Sequence, residues 1–113
     1  MRIRTVLQEW EAQLEPIPSS PFQKARAKAE WKIYGDGSRK CKLFISNLGL
    51  PDDTLIDIHV NDRLIAQTKL EKGSARFRRE TEQGEQVPEV NVNDVMQILN
   101  AGRVFLEGRF YEE

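Results

Sequence analysis

The feature that most constrains the fold is a strict alternation of residue types in residues 25–33. Every second side chain there is apolar, and most of the side chains between them are charged. This period of two is typical of a β-strand with one face in the core and the other in water. A Gly-Asp-Gly-Ser turn follows at residues 35–38, and residues 39–48 resume the alternation. The sequence therefore predicts a β-hairpin over residues 25–48.

The rest of the chain contains further short alternating segments that are separated by turn residues. We predict strands at residues 55–60, 64–68, 75–80, 94–99 and 104–110. Seven or eight short strands with turns between them are typical of an all-β, antiparallel, two-sheet sandwich. We expect one domain over residues 1–113, since a chain of this length can bury a sufficient core by itself.

The N-terminal segment, residues 3–14, fits two different elements. Its apolar residues include a stripe with helical spacing, which predicts a short N-terminal helix. In its second half, Trp10, Ala12 and Leu14 alternate with polar residues, which predicts the first strand instead. Pro16 ends either element, because proline fixes φ and lacks an N–H donor.

Charge and apolar content exclude several classes of partner. Seventeen Lys and Arg residues against eighteen Asp and Glu residues give a net charge of −1, so we do not expect the chain as a whole to attract nucleic acid. No apolar run approaches the roughly 18 residues of a membrane-spanning helix. Acidic residues interrupt the N-terminus before a signal peptide could form. We therefore expect a cytoplasmic protein, unless a leader has been removed.

The chain contains few residues suited to catalysis. His59 alternates with apolar neighbours and is expected to be a partly exposed strand residue beside Asp57. Cys41 shares the apolar positions of its strand and is expected to be a small buried hydrophobe. No phosphate-binding glycine loop or nucleophile motif is present. We expect no catalytic residue, no metal, no cofactor and no enzymatic activity.

The order of motifs resembles the opening of chordin-type (CHRD) domains. Such domains begin with an apolar strand, a Glu-Pro-Pro-like corner, an Ala-rich strand, a glycine turn and a strand that ends in a Ser-Asn-Leu-like tripeptide. The matching segments here are residues 10–18, 25–31, 35–37 and 43–48, with a looser match at 102–110. The resemblance implies an immunoglobulin-like sandwich, related in outline to copper/zinc superoxide dismutases, with residues 1–16 as its first strand. Because His59 is the single histidine, the dismutase metal ligands are missing.

A basic surface is the main candidate for a binding site. The polar face of the predicted hairpin and its flank collects six cations and one aromatic residue, namely Lys24, Arg26, Lys28, Lys32, Lys40, Lys42 and Tyr34. Such a face could bind an anionic polymer, such as a sulfated glycan, or an acidic partner. The simpler interpretation is that it is the solvated side of an antiparallel sheet, where lysine discourages unwanted strand pairing.

Two functional hypotheses follow from the residues. The first is a non-catalytic structural or protein-interaction module that binds a partner or forms a homodimer through an uncovered sheet face or edge. Small side chains at Ala25, Ala27 and Ala29 would let another layer approach closely. The second hypothesis is a binding module for an anionic polymer or acidic partner that uses the basic surface.

Overall fold

The computed structural model describes residues 5–113, and β-strands make up well over half of them. The strands are β1 (Val6–Pro16), β2 (Arg26–Tyr34), β3 (Arg39–Ser46), β4 (Leu55–Val60), β5 (Arg63–Lys69), β6 (Ala75–Glu80), β7 (Val95–Asn100) and β8 (Arg103–Glu112). A 3₁₀ turn, Thr81–Gln83, follows β6. The prediction of an all-β protein is confirmed.

All eight strands belong to one antiparallel sheet. Their order is β5-β4-β7-β8-β1-β2-β3-β6, so β5 and β6 are the two end strands. The sheet curls until these ends approach each other, which gives a nearly closed, barrel-like shape. β8 pairs with β7 on one side and with β1 on the other, and so joins the two halves. The antiparallel strands are confirmed, whereas the division into two separate sheets is not.

The N-terminal segment is a strand from Val6 onward, so the helical alternative is wrong for residues 6–14. β1 pairs with β2 over nearly its whole length, and Trp10 lies opposite Trp31. Pairing with two neighbouring strands outweighs the modest helix propensity of this segment. Residues 3 and 4 of the predicted element lie outside the described residues.

The predicted hairpin is confirmed, with β2 and β3 as its strands. Ala27 lies opposite Ile45 and Trp31 opposite Cys41, and all four side chains are buried. Gly37 in the connecting turn has a φ of 85°, a conformation that glycine adopts without steric cost. β4 with β5 and β7 with β8 form two further hairpins, built from strands that the sequence predicts.

The core lies inside the curled sheet and is closed by aromatic contacts. The rings of Trp31 and Phe110 meet edge to face, with centroids 5.3 Å apart. The indole N–H of Trp31 donates to the carbonyl oxygen of Pro88 at 2.8 Å, which fixes the segment that follows β6. Trp10 is also buried, so it is a core residue and not an exposed anchor.

The described residues contain no helix with the length and apolar character that crossing a membrane requires. Within residues 5–113, no three His, Cys, Asp or Glu side chains gather as a set that could hold a metal ion.

Candidate interaction surface

The predicted basic face lies on the outer side of the sheet, over β2 and β3. The strand register places Lys28 opposite Phe44 and Lys32 opposite Lys40. β6 extends this surface beyond β3, because Arg76 lies on the other side of Phe44. Cations from three neighbouring strands therefore share one face.

Lys28 is neutralised by two carboxylates. Its Nζ lies 3.0 Å from Oε1 of Glu11 on β1 and 3.4 Å from Oε1 of Glu30 on its own strand. Glu11 is only 4% exposed, although it belongs to the outer face. Because a buried carboxylate needs a partner, Lys28 has a structural role in addition to any role in binding.

Replacing Lys28 with alanine is expected to lower the thermal stability of the protein. The change leaves the enclosed Glu11 carboxylate without its lysine partner, whereas Lys42→Ala removes the same charge from a site with no carboxylate partner among residues 5–113. Thermal unfolding at neutral pH compares the two variants. A Tm of Lys28→Ala equal to that of Lys42→Ala would show that the pair contributes nothing.

Lys32 and Lys40 also have carboxylate partners. Lys32 Nζ lies 3.6 Å from Oε1 of Glu9 on β1, and Lys40 Nζ lies 3.2 Å from Oε1 of Glu80 on β6. Together with Lys28, half of the six predicted cations are therefore paired across strands. The predicted basic ridge is not a continuous positive surface.

Lys24 and Arg26 lie at one end of the face. Lys24 is exposed and precedes β2. The guanidinium of Arg26 donates to the carbonyl oxygens of Gln23 at 2.9 Å and Ala25 at 2.7 Å. Arg26 therefore folds back on the chain, and only part of its hydrogen-bonding capacity is open to a ligand.

Tyr34 does not supply an exposed aromatic ring to the face, which corrects the prediction for this residue. It is 7% exposed. The β1 strand is irregular between Val6 and Gln8, opposite the end of β2, and this interrupts the simple alternation of faces. The exposed ring on this surface is instead Phe44, of which 42% is accessible.

The open part of the face is a cation–aromatic patch formed by Lys42, Phe44, Arg76 and Arg78. The guanidinium carbon of Arg76 lies 5.2 Å from the centroid of the Phe44 ring. Lys42 lies opposite Arg78 and has no carboxylate within ion-pair distance among the described residues. Arg78 contacts Glu80 at 3.1 Å. A depression of about 490 Å³ lies over the patch, and Lys28 and Glu30 of β2 also line it.

Sequence reasoning missed Arg76 and Arg78 as members of this surface. Their alternation with Ala75 and Phe77 placed both arginines on the polar side of a strand. The missing information was that β6 pairs with β3, which no local pattern encodes. Once this pairing is known, the alternation of side chains along β6 places both arginines on the same face as Phe44.

His59 and Cys41 occupy the structural positions that their patterns predict. His59 is half-buried on β4, opposite Gln97 and Leu64 on the two neighbouring strands. Cys41 is fully buried, and this burial raises the pKa of its thiol to about 12. The thiol is therefore protonated at neutral pH and acts as a small apolar group.

A second polar cluster lies beside the patch, where Glu11 meets Glu113. A hydrogen bond with Glu113, followed by one with Lys28, lowers the pKa of Glu11 to about 2. The same contact with Glu11 raises the pKa of Glu113 to about 7. The two carboxyl groups therefore share one proton in mildly acidic solution, with Glu113 as the donor.

Glu113→Gln is expected to raise the thermal stability at about pH 8 and to leave it nearly unchanged at about pH 5. The pKa of Glu113 is higher in the folded than in the unfolded state. The stabilisation that results is therefore fully present below the unfolded-state pKa of 4.5 and is lost as the pH rises through about 7. The substituted amide keeps a hydrogen-bond donor at this position and removes the repulsion with Glu11. The lowered pKa of Glu11 has the opposite pH dependence. The stabilisation that it gives the folded protein is present above pH 4.5 and is lost as the pH falls towards about 2.

Thermal unfolding of the wild type, Glu113→Gln and the neighbouring Glu112→Gln checks this prediction. Glu112→Gln removes the same charge one residue away and serves as the matched control. Equal effects of the two variants at about pH 8 would contradict the shared proton.

Fold and surface together define an all-β protein with an open cation–aromatic patch on its outer face. No protein-family model matches the chain, and a sequence comparison with curated proteins finds no match either.

Proposed function

We propose that the protein is a non-catalytic interaction module that binds an acidic segment of a partner protein through the cation–aromatic patch. The observation that carries this proposal is the exposed Phe44 ring on the outer face of the sheet. Lys42, on the same strand, and Arg76 and Arg78, on the neighbouring strand β6, lie on the same face. Arginine and aromatic residues are enriched where proteins bind one another, and cations select an acidic partner. An apolar side chain flanked by carboxylates would match this patch.

An acidic protein segment fits the surface better than an anionic polymer does. A protein that binds an anionic polymer has an unbroken positive groove along the polymer backbone. The affinity of such a complex grows with the number of polymer charges that the protein neutralises. On this face, Lys28, Lys32 and Lys40 are already paired with the protein's own carboxylates. Around the Phe44 ring, Lys42 and Arg76 have no carboxylate within ion-pair distance among the described residues, and such a small group suits a short contact. Binding of a sulfated polymer such as heparin is the alternative outcome of the test.

We further propose that the domain is an immunoglobulin-like sandwich of the chordin type, without the metal ligands of the dismutases. Two strand ends support this proposal, because β1 ends at Pro16 and β3 ends at Ser46. In chordin-type domains, the Glu-Pro-Pro-like corner and the Ser-Asn-Leu-like tripeptide lie at the ends of the corresponding strands. An experimental structure with two separate sheets would support the proposal, and a complete β5–β6 ladder would contradict it.

The double substitution Lys42→Glu/Arg76→Glu is expected to weaken binding of an acidic peptide by at least about tenfold. A suitable probe is a peptide of about eight residues in which glutamate alternates with valine, long enough to cover a strand. Isothermal titration calorimetry at low and physiological salt measures the affinity. Heparin, titrated in parallel, distinguishes the polymer alternative.

The matched control is Arg103→Glu/Arg109→Glu, which makes the same change in charge on exposed positions of β8. These residues lie three strands away from β3 in the sheet. Equal losses in the two double variants would mean that only the net charge matters. No binding by the wild-type protein would reject the proposed function.

A further inference from the structure

The two end strands of the sheet leave a seam between them. β5 and β6 are consecutive in the chain and are joined by a short turn in which Glu71 bridges Ser74. Among the described residues, no backbone hydrogen bond joins the two strands. Among the same residues, a side-chain hydrogen bond spans the seam, in which Thr68 Oγ1 donates to the carbonyl oxygen of Arg76 at 3.5 Å. The strands therefore meet near the turn and separate towards their other ends.

The free edge of β6 presents alternate backbone groups to this seam. Because the Arg76 carbonyl oxygen accepts from β5, the backbone of Arg76 faces the seam, and so do those of Arg78 and Glu80. Glu80 is already covered, since its carbonyl oxygen accepts from the N–H of Glu85 at 3.2 Å. The carbonyl oxygen of Arg78 accepts from the guanidinium of Arg79 at 3.1 Å, whereas the N–H of Arg78 remains directed into the open part of the seam. An edge of this kind is a template for an added strand.

The chain itself places a carboxylate at the end of this edge. Glu85 Oε1 accepts from the backbone N–H of Glu80 at 3.3 Å, and Glu85 Oε2 lies 3.5 Å from the guanidinium of Arg79. A glutamate from the irregular segment after the 3₁₀ turn therefore already occupies one position along β6. The next seam-facing position is Arg78, and none of the hydrogen bonds that the described residues 81–88 make reaches its backbone.

The groove at the wide end of the seam has space and positive charge. Its volume is about 1000 Å³, and Arg39, Arg63 and Arg79 line it together with the apolar side chains of Ile65 and Val87. Glu85 is the one carboxylate among its described lining residues. An extended acidic segment with apolar side chains complements this lining.

A second copy of the chain is a poor occupant of the seam. Both edges carry cations, at Arg63 and Lys69 on β5 and at Arg76 and Arg78 on β6. Pairing two such edges would bring like charges together, which destabilises cross-strand contacts. The homodimer through a sheet edge is therefore disfavoured, and an acidic partner is favoured.

We infer that the acidic segment of the partner binds as an added β-strand along the free edge of β6. This inference rests on the proposed function and specifies how the partner is held. A main-chain carbonyl oxygen of the segment accepts from the N–H of Arg78, and the carboxylates of the segment face the arginines of the groove and the cation–aromatic patch. Main-chain bonds give such a complex its affinity, and the alternating side chains give it specificity.

The test compares Arg78→Pro with Arg78→Ala. Both variants remove the guanidinium, but only proline also removes the seam-facing N–H, while the hydrogen bonds from β6 to β3 are kept. Calorimetry with the glutamate–valine peptide should show up to about tenfold weaker binding to Arg78→Pro than to Arg78→Ala, the loss expected for one main-chain bond. Circular dichroism checks that both variants are folded.

Amide hydrogen exchange of the wild type gives a second readout that needs no substitution. Peptide binding should slow exchange at the amides of Arg76 and Arg78, which face the seam. Equal affinities of the two variants, with no added protection at these amides, would overturn strand addition while leaving the proposed function intact. If the peptide does not bind the wild type at all, both proposals fail.

Discussion

Gly108→Ala is expected to destabilise the protein by about 3 kcal/mol, because a methyl group at this position has no room. An added Cβ would lie 2.9 Å from the carbonyl carbon of Gln13 and 3.1 Å from Cα of Leu14, and would clash with the carbonyl oxygen of Gln13. All three are backbone atoms of β1, so no rotamer change relieves the contact. Gly108 lies where β8 passes between β7 and β1, and the strain therefore reaches the strand that joins the two halves of the sheet.

Urea unfolding followed by circular dichroism measures this loss. Gly35→Ala is the matched control, since its added Cβ would lie 3.7 Å from the nearest atom, the carbonyl oxygen of Thr5, which is an ordinary contact distance. We expect the control to remain within about 0.5 kcal/mol of the wild type. Similar stabilities of Gly108→Ala and Gly35→Ala would contradict the close approach of β8 to β1.

Phe110→Ala is expected to cost about 4 kcal/mol of folding free energy, the range found for deletion of a buried phenylalanine ring. Phe110 is 1% exposed, and its ring meets Trp31 at an interplanar angle of 80°. Removing the ring leaves a cavity beside Trp31, whose indole also holds the segment at Pro88. The loss therefore combines burial, packing and an aromatic contact.

Phe44→Ala removes the same kind of ring from an exposed position, and it is expected to weaken binding and not stability. Phe44 is 42% exposed, so we expect its stability effect to be within about 0.5 kcal/mol, while binding of the acidic peptide weakens. Chemical denaturation and calorimetry on both variants separate the two roles. A comparable loss of stability in Phe44→Ala would place that ring in the core and contradict the patch.

The strands of this protein could be predicted from the sequence because their signals are local. The alternation in β2 and β3 and the turn at residues 35–38 identify that hairpin, and its buried side chains follow from the period of two. The order of the strands could not be predicted in the same way. β1 lies between β2 and β8, and β6 lies beside β3, although the pairings of β1 with β8 and of β3 with β6 join distant segments. Such contacts depend on the curvature of the whole sheet.

The candidate surface was predictable in its cations but not in its charge balance. Lys28, Lys32 and Lys40 are found from their alternation, yet their carboxylate partners on β1 and β6 become neighbours only after folding. The same long-range pairing brings Arg76 beside Phe44 and creates the patch. The site is therefore smaller than the predicted basic surface and lies nearer to the edge of the sheet.

The most direct test of the proposed binding surface is an NMR titration of the wild-type protein with the glutamate–valine peptide. We predict that the backbone amide shifts change along β3 and β6, with the largest changes around Phe44, Arg76 and Arg78, while those of β7, which lies in the opposite half of the sheet, stay constant. Shift changes centred elsewhere on the sheet, or none at saturating peptide, would contradict the account.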